Sequence, residues 1–262
     1  MIREDAASEG RMENNETNKS KSGAPGEASA APPLGHGPST SASPALRTLL
    51  RIHSNTGGVF ATTSYLVADE ATKQAVIFDA PNDTTAPLIE TAKKNGWDVI
   101  GLWLTHGHID HIADHAVITG AFPRAKVLIH QRDELKLQNP MSMYPVPFVT
   151  PPRSADGYLT GGQILHIGTT EVQVMETPGH SPGHVAFYIP SEKVLIGGDL
   201  ILMGAVGRTD FPDCSFPDLQ ASLRRIMKLP GETQLLPGHG HPTLLGDEAE
   251  SNPYVRQAIM PR

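Results

Sequence analysis

The stretch Val99-Ile100-Gly101-Leu102-Trp103-Leu104-Thr105-His106-Gly107-His108-Ile109-Asp110-His111 decides how this chain is read. Residues 99–104 have the length and composition of a buried strand, which stops abruptly at a cluster of three histidines and an aspartate. A helix-like segment over residues 112–119 follows and closes on Gly120, with Pro123 just beyond. Imidazole and carboxylate groups crowded at a strand end cost solvation free energy unless a positive charge gathers them. A divalent cation does so. On an extended chain, residues two apart point the same way, so His106 and His108 share one direction. Asp110 and His111 fall where the helix begins and face a neighbouring point, which suggests two cations. The competing reading is a loop of ordinary polar side chains with one histidine capping the helix.

The chain has 262 residues, enough for one large domain or two small ones. A net charge of −7 argues against nucleic acid as a partner. The single cysteine, Cys214, excludes an internal disulfide framework and a thiolate-rich zinc site, and it fits a cytoplasmic, reducing setting. No export signal and no apolar run near the ~20 residues of a membrane span is visible, so a membrane is not an expected partner. Residues 1–44 are poor in large apolar side chains and read as a disordered N-terminal segment. A folded domain is expected over residues 45–262.

Within it, strands are expected at 47–53, 63–68 and 74–79, the last ending in Asp79, which either backs up a metal ligand or is a turn aspartate. A helix is expected over 87–95. Residues 139–152 hold five prolines and form a loop long enough to lie over a pocket, with Tyr144 and Phe148 as candidate pocket residues. A hairpin over 163–175 feeds Thr177-Pro178-Gly179-His180. The apolar run 194–196 ends in Gly197-Gly198-Asp199, and a last strand over 233–236 delivers Pro237-Gly238-His239. Four strand ends thus present His or Asp. Such convergence is how mixed α/β folds assemble a site, and two successive strand-rich halves suggest two sheets packed face to face with helices outside.

Five histidines and two aspartates without sulfur suit two divalent ions such as zinc, iron or manganese. One ion would take His106, His108 and His180; the other would take Asp110, His111 and His239, with Asp199 bridging the pair. A hydroxide shared by two cations is available at neutral pH, because coordination lowers the pKa of water from about 15.7 to about 7. No serine or cysteine nucleophile is needed.

The motifs at 105–111, 177–180, 197–199 and 237–239 together resemble those of the metallo-β-lactamase superfamily. The resemblance runs over residues 46–254 and implies an α/β four-layer αββα sandwich, with His106, His108, Asp110, His111, His180, Asp199 and His239 as metal ligands. Within the superfamily the chain resembles the glyoxalase II (hydroxyacylglutathione hydrolase) group: a typical lactamase carries cysteine or serine at the position of Asp199. Residues 207–212, Gly-Arg-Thr-Asp-Phe-Pro, and the ending over 243–254 are similar to the short single-domain members. Longer glyoxalase II enzymes carry a helical C-terminal domain for glutathione, whereas about two dozen residues follow His239 here. The resemblance therefore implies hydrolysis of a small-molecule thioester such as S-acylglutathione, with Asp110 as the catalytic group orienting the hydroxide.

Persulfide dioxygenases resemble the chain in the same motifs and imply the alternative, one iron(II) held by His106, His180 and Asp199, a face suited to oxygen chemistry. Lactone or phosphodiester cleavage and a non-enzymatic binding module complete the alternatives. Arg208 is a candidate substrate contact or half of a salt bridge with Asp210. His184 is read as packed, His115 as a supporting or surface residue, and His130, His166 and His241 as structural or exposed.

Overall fold

A computed structural model describes residues 50–260 of the chain. The segment expected to be disordered, residues 1–44, lies outside the described residues. The first sheet contains β1 (Leu50–Gly57), β2 (Thr62–Asp69), β3 (Gln74–Phe78), then, after helix α1 (Ala86–Asn95), β4 (Asp98–Trp103). Helices α2 (Ile109–Ile112) and α3 (His115–Ala121) lead to β5 (Lys126–His130), and α4 (Glu134–Gln138) precedes β6 (Gly157–Leu159). These six strands lie side by side in chain order: the β1–β2–β3 pairs are antiparallel, the remainder parallel.

The second sheet begins with β7 (Ile164–Ile167), β8 (Thr170–Glu176), β9 (Val185–Ile189) and β10 (Val194–Gly198). A small hairpin, β11 (Ile201–Leu202) and β12 (Ala205–Val206), and helix α5 (Phe216–Ile226) precede β13 (Gln234–Pro237) and β14 (Thr243–Leu244). Helices α6 (Leu245–Ser251) and α7 (Pro253–Ile259) follow. The order across the sheet is β14-β13-β10-β9-β8-β7, with β10 and β13 parallel.

Alternation along the central strands builds the four expected layers. On β2, Leu66 and Ala68 face α1, α2 and α3, while Tyr65 and Val67 face the second sheet. On β9, Val185, Phe187 and Ile189 meet the first sheet, while Ala186 and Tyr188 pack beneath α5, α6 and α7. A period of two side chains thus feeds cores on both faces. Phe78, Trp103 and Phe187 interlock between the sheets, the Phe78 and Phe187 rings 4.9 Å apart. Among the described residues no helix is long and apolar enough to cross a membrane.

One element differs from expectation. The helix anticipated over 112–119 is split into α2 and α3 near Asp114. The Asp114 carboxylate accepts from the Thr85 hydroxyl at 3.0 Å, and its backbone N–H donates to the Ala80 carbonyl at 2.7 Å. These bonds dock the break against the loop after β3, where an unbroken helix could not follow. The short α2 presents Asp110 and His111 at the edge where both sheets end. Three links close that edge: Val185 N–H donates to Thr105 O (2.8 Å), Thr63 N–H donates to Gly238 O (2.7 Å), and Thr62 bridges His239.

Candidate metal centre

All seven anticipated residues come together at this edge. After β4, Thr105 donates its backbone N–H (2.7 Å) and its hydroxyl (2.8 Å) to the Asp79 carboxylate. The hydroxyl proton being spent, Thr105 Oγ1 accepts from His106 Nδ1 (3.0 Å), which leaves His106 Nε2 bare. His180 donates Nδ1–H to the Arg208 carbonyl (2.8 Å), so its Nε2 is bare as well. Both lone pairs face His108 Nδ1, at 3.0 Å from His106 and 2.8 Å from His180. One proton cannot satisfy two such neighbours at once. A cation can, and His106, His108 and His180 form a cation-sized donor set.

The second set is Asp110, His111 and His239. His111 donates Nδ1–H to Asp79 Oδ2 (2.8 Å), so Asp79, expected either as support or as a turn residue, does both: it occupies a positive φ of 57° and fixes this imidazole. His111 Nε2 then points at Asp199 Oδ1 (3.4 Å) and Asp110 Oδ2 (3.6 Å). His239 Nε2 lies 3.2 Å from Asp110 Oδ2 and 3.4 Å from Asp199 Oδ2, and Asp199 Oδ2 is 3.5 Å from His180 Nε2. Asp199 therefore faces both sets. His111 Nε2 and Asp199 Oδ1 are fully buried and have no hydrogen-bond partner, the signature of a donor set built for cations.

Among the side chains themselves the electrostatics of the cluster are divided. Burial, reinforced by His111, His108 and His180, pushes His106 well below the usual imidazole range. His108 falls to about 3 through burial and then the neighbouring His180 charge. Burial opposes protonation of His111 too, but Asp199, Asp110 and Asp79 outweigh it and hold that ring well above its ordinary value. His239 rises to about 9 because its bonds to Asp110 and Asp199 overcome burial. In the same way His111 and His239 outweigh burial at Asp110, which drops to about 2.

A cavity of about 400 Å³ opens onto the cluster, walled by Phe60, Met143, Tyr144, Arg208 and Phe211. Tyr144 and Phe211 stack at 5.9 Å, and the Arg208 guanidinium lies 4.2 Å over the Phe211 ring while forming a two-pronged salt bridge to Asp210 (2.6 and 2.7 Å). Arg208 therefore lines the cavity and is also half of the anticipated salt bridge. Phe148 is placed differently from expectation. It is half-buried against the core around α1 to α3, as Met143 and Tyr144 also are, but only those two reach the cavity wall.

Other histidines have local roles. His184 is buried; Thr177 Oγ1 contacts its Nδ1 (2.8 Å), and its Nε2 accepts from Asp199 N–H (3.1 Å). His115 donates to the Pro151 carbonyl at 2.8 Å, His130 Nδ1 accepts from Arg132 N–H, and His166 and His241 are exposed. Sequence reasoning missed Thr62, whose hydroxyl donates to Asp110 Oδ2 at 2.9 Å. It also missed Asp133, a buried carboxylate that bonds the backbone between His106 and His108.

This fold and edge-sited cluster define a protein class: the chain belongs to the metallo-β-lactamase superfamily, whose profile matches residues 57–239. Two solved structures are similar to it over nearly their whole length. One is the BLEG-1 B3 metallo-β-lactamase, 32% identical with a TM-score of 0.72, covering 78% of this chain and 99% of that one. The other is TTHA1623 in a di-iron-bound form, 35% identical with a TM-score of 0.64, covering 77% and 99%. The hydroxyacylglutathione hydrolase GloC of Haemophilus influenzae is 28% identical over 70% of this chain and 88% of its own length.

Proposed function

We propose that this metallohydrolase cleaves thioesters, S-acylglutathione being the representative substrate, through a hydrolase domain spanning residues 45–262 in a cytoplasmic setting. His106, His108 and His180 would hold one divalent cation and Asp110, His111 and His239 the other, with Asp199 shared. The observation that carries the reading is the pair of buried, unpartnered atoms, His111 Nε2 and Asp199 Oδ1, which with His106 form a third cation-sized group overlapping the other two. Zinc, iron and manganese all suit these ligands. Bound cations would supply a water of lowered pKa and a positive field for the oxyanion that develops on the carbonyl.

The chain's own residues do the rest. Asp110, braced by the Thr62 hydroxyl, orients the attacking water through its carboxylate. Phe60, Tyr144 and Phe211 keep bulk water from the acyl arm. As the water oxygen bonds the carbonyl carbon its proton passes to solvent, the C–S bond breaks with its electron pair on sulfur, and the thiolate departs with little help from an acid because it is a stable anion. The similarity to GloC supports this substrate class, and the similarity to a di-iron structure supports two cations.

Two competitors remain in the same test. β-Lactam cleavage is suggested by the BLEG-1 likeness, and Asp199 weighs against it. One-iron sulfur oxidation would leave Asp110, His111 and His239 idle, although they form a donor set of their own. Protein purified without added metal is assayed for elemental content and offered glutathione thioesters, a glutathione persulfide with oxygen uptake monitored, and a chromogenic β-lactam. Two cations per chain and thioester cleavage are expected. A single iron with persulfide-dependent oxygen uptake, or turnover of the β-lactam alone, overturns the proposal.

A further inference from the structure

The loops carrying His106 and His108 on one side and His180 on the other belong to different sheets, and no strand pairing joins them. Beyond the Val185 N–H to Thr105 O bond at their base, what joins the loops themselves is Asp133, in the single 3₁₀ turn between β5 and α4. Its side chain is completely buried. Oδ2 accepts the backbone N–H of Gly107 (2.8 Å), the residue between His106 and His108, and also the Ser181 hydroxyl, next to His180. Oδ1 accepts the backbone N–H of Gly183 (2.8 Å) and the Lys136 ammonium (3.2 Å). Lys136 donates to Ser181 Oγ (2.7 Å) and pairs with Asp213 (2.7 Å), one residue before Cys214, whose thiol donates to the His180 carbonyl (2.9 Å).

Both glycines are required by this approach. A Cβ on Gly107 would lie 2.9 Å from the Asp133 carbonyl oxygen, and one on Gly183 would lie 2.8 Å from the Asp133 carboxylate carbon. Two loops from separate sheets therefore close onto one carboxylate with no room between. A buried carboxylate with four donors is strongly favoured as the anion, and burial, which alone would raise its pKa, is outweighed by Lys136, Ser181 and the two backbone N–H groups.

We propose that Asp133 is a positioning residue that clamps the two histidine loops together and so sets the spacing of the three-nitrogen donor set His106, His108 and His180, while the set around His239 relies on other supports. The inference rests on the two-cation reading above. It explains why Asp133 has to be an aspartate. Each oxygen receives two donors, so an asparagine in either orientation turns its NH₂ against a backbone N–H and one further donor. Which hydrogen bond breaks depends on the flip, but one loop is released in both cases.

The test is a zinc titration of the full, metal-stripped chain against a chromophoric chelator, with circular dichroism confirming the fold. Wild type is expected to take two zinc ions tightly. Asp133→Asn is expected to keep one and bind the second about 10–100-fold more weakly, the usual cost of losing an outer support. His239→Ala alone is expected to keep one tight zinc, and the double variant none. Gly183→Ala displaces the carboxylate without changing any charge; it is expected to act like Asp133→Asn and serves in its place if that variant does not fold. Two tight zinc ions in the single Asp133 and Gly183 variants, equal weakening of both ions, or a tight zinc surviving in the double variant overturns the clamp. Absence of tight zinc in wild type overturns the metal reading itself, and the clamp with it.

Discussion

His108 Nδ1 lies 2.8 Å from His180 Nε2, although 72 residues separate them and each follows a strand of a different sheet. Truncating His180→Ala takes one nitrogen from a three-nitrogen set. Metal content should fall from two cations to one, and thioester turnover by about 100-fold or more, since one Lewis-acid cation is worth several kcal/mol to the transition state. Elemental analysis beside steady-state kinetics checks both. Retention of two cations would contradict the ligand assignment.

Asp79 couples the two donor sets through Thr105 and His111. In Asp79→Asn the amide has to turn its NH₂ toward either the Thr105 N–H or the His111 Nδ1–H. Zinc affinity at the set containing His111 should drop about 10–100-fold. Stability of the metal-free protein should fall by about 1–3 kcal/mol, the cost of an unsatisfied buried donor. Competition titration and urea denaturation measure the two effects separately.

The metal-free protein should be most stable near pH 6.5. His106, His108 and His184 are held below the ordinary imidazole value, the latter two at about 3. Between pH 6.5 and about 3 the unfolded chain binds more protons at these rings, so acidification destabilises. His111 and His239 are raised, His239 to about 9. Their contribution is complete below 6.5 and is lost as pH rises through the folded values. Denaturation midpoints of chelator-treated protein from pH 4 to 10 test this, and a curve still climbing at pH 9 would refute it.

Phe211 contributes a wall of the cavity, its ring 5.5 Å from the His108 imidazole. Phe211→Ala removes the stack on Tyr144, an interaction of about 0.5–1.5 kcal/mol. It should raise KM about 2–10-fold and lower kcat less, as loss of binding common to substrate and transition state does. An equal fall in kcat would place the ring at the reacting atoms instead.

The α5 helix shows how far local chemistry reaches. Ser215 caps it by accepting from Asp218 N–H, and Leu219, Leu223 and Ile226 are buried on one face, a cap and an apolar spacing that neighbouring residues supply by themselves. The break between α2 and α3 was hidden because Asp114 makes its deciding bonds to Ala80 and Thr85, some 30 residues back. Thr62 and Asp133 were invisible for the same reason. A threonine at a strand start and an aspartate before a helix are ordinary in sequence, and their partners here lie 48 and up to 50 residues away.

Residue order alone determined the alternation that makes two double-faced sheets and the strand ends that carry seven ligand-type side chains, because period, turn chemistry and donor type are properties of neighbouring residues. Packing of one sheet on the other decided which nitrogens share a point, that Asp199 faces both sets, that Tyr144 but not Phe148 meets the cavity, and that Asp133 joins the histidine loops. Those outcomes depend on close approaches between segments far apart in the chain, and only the closed core holds such distances.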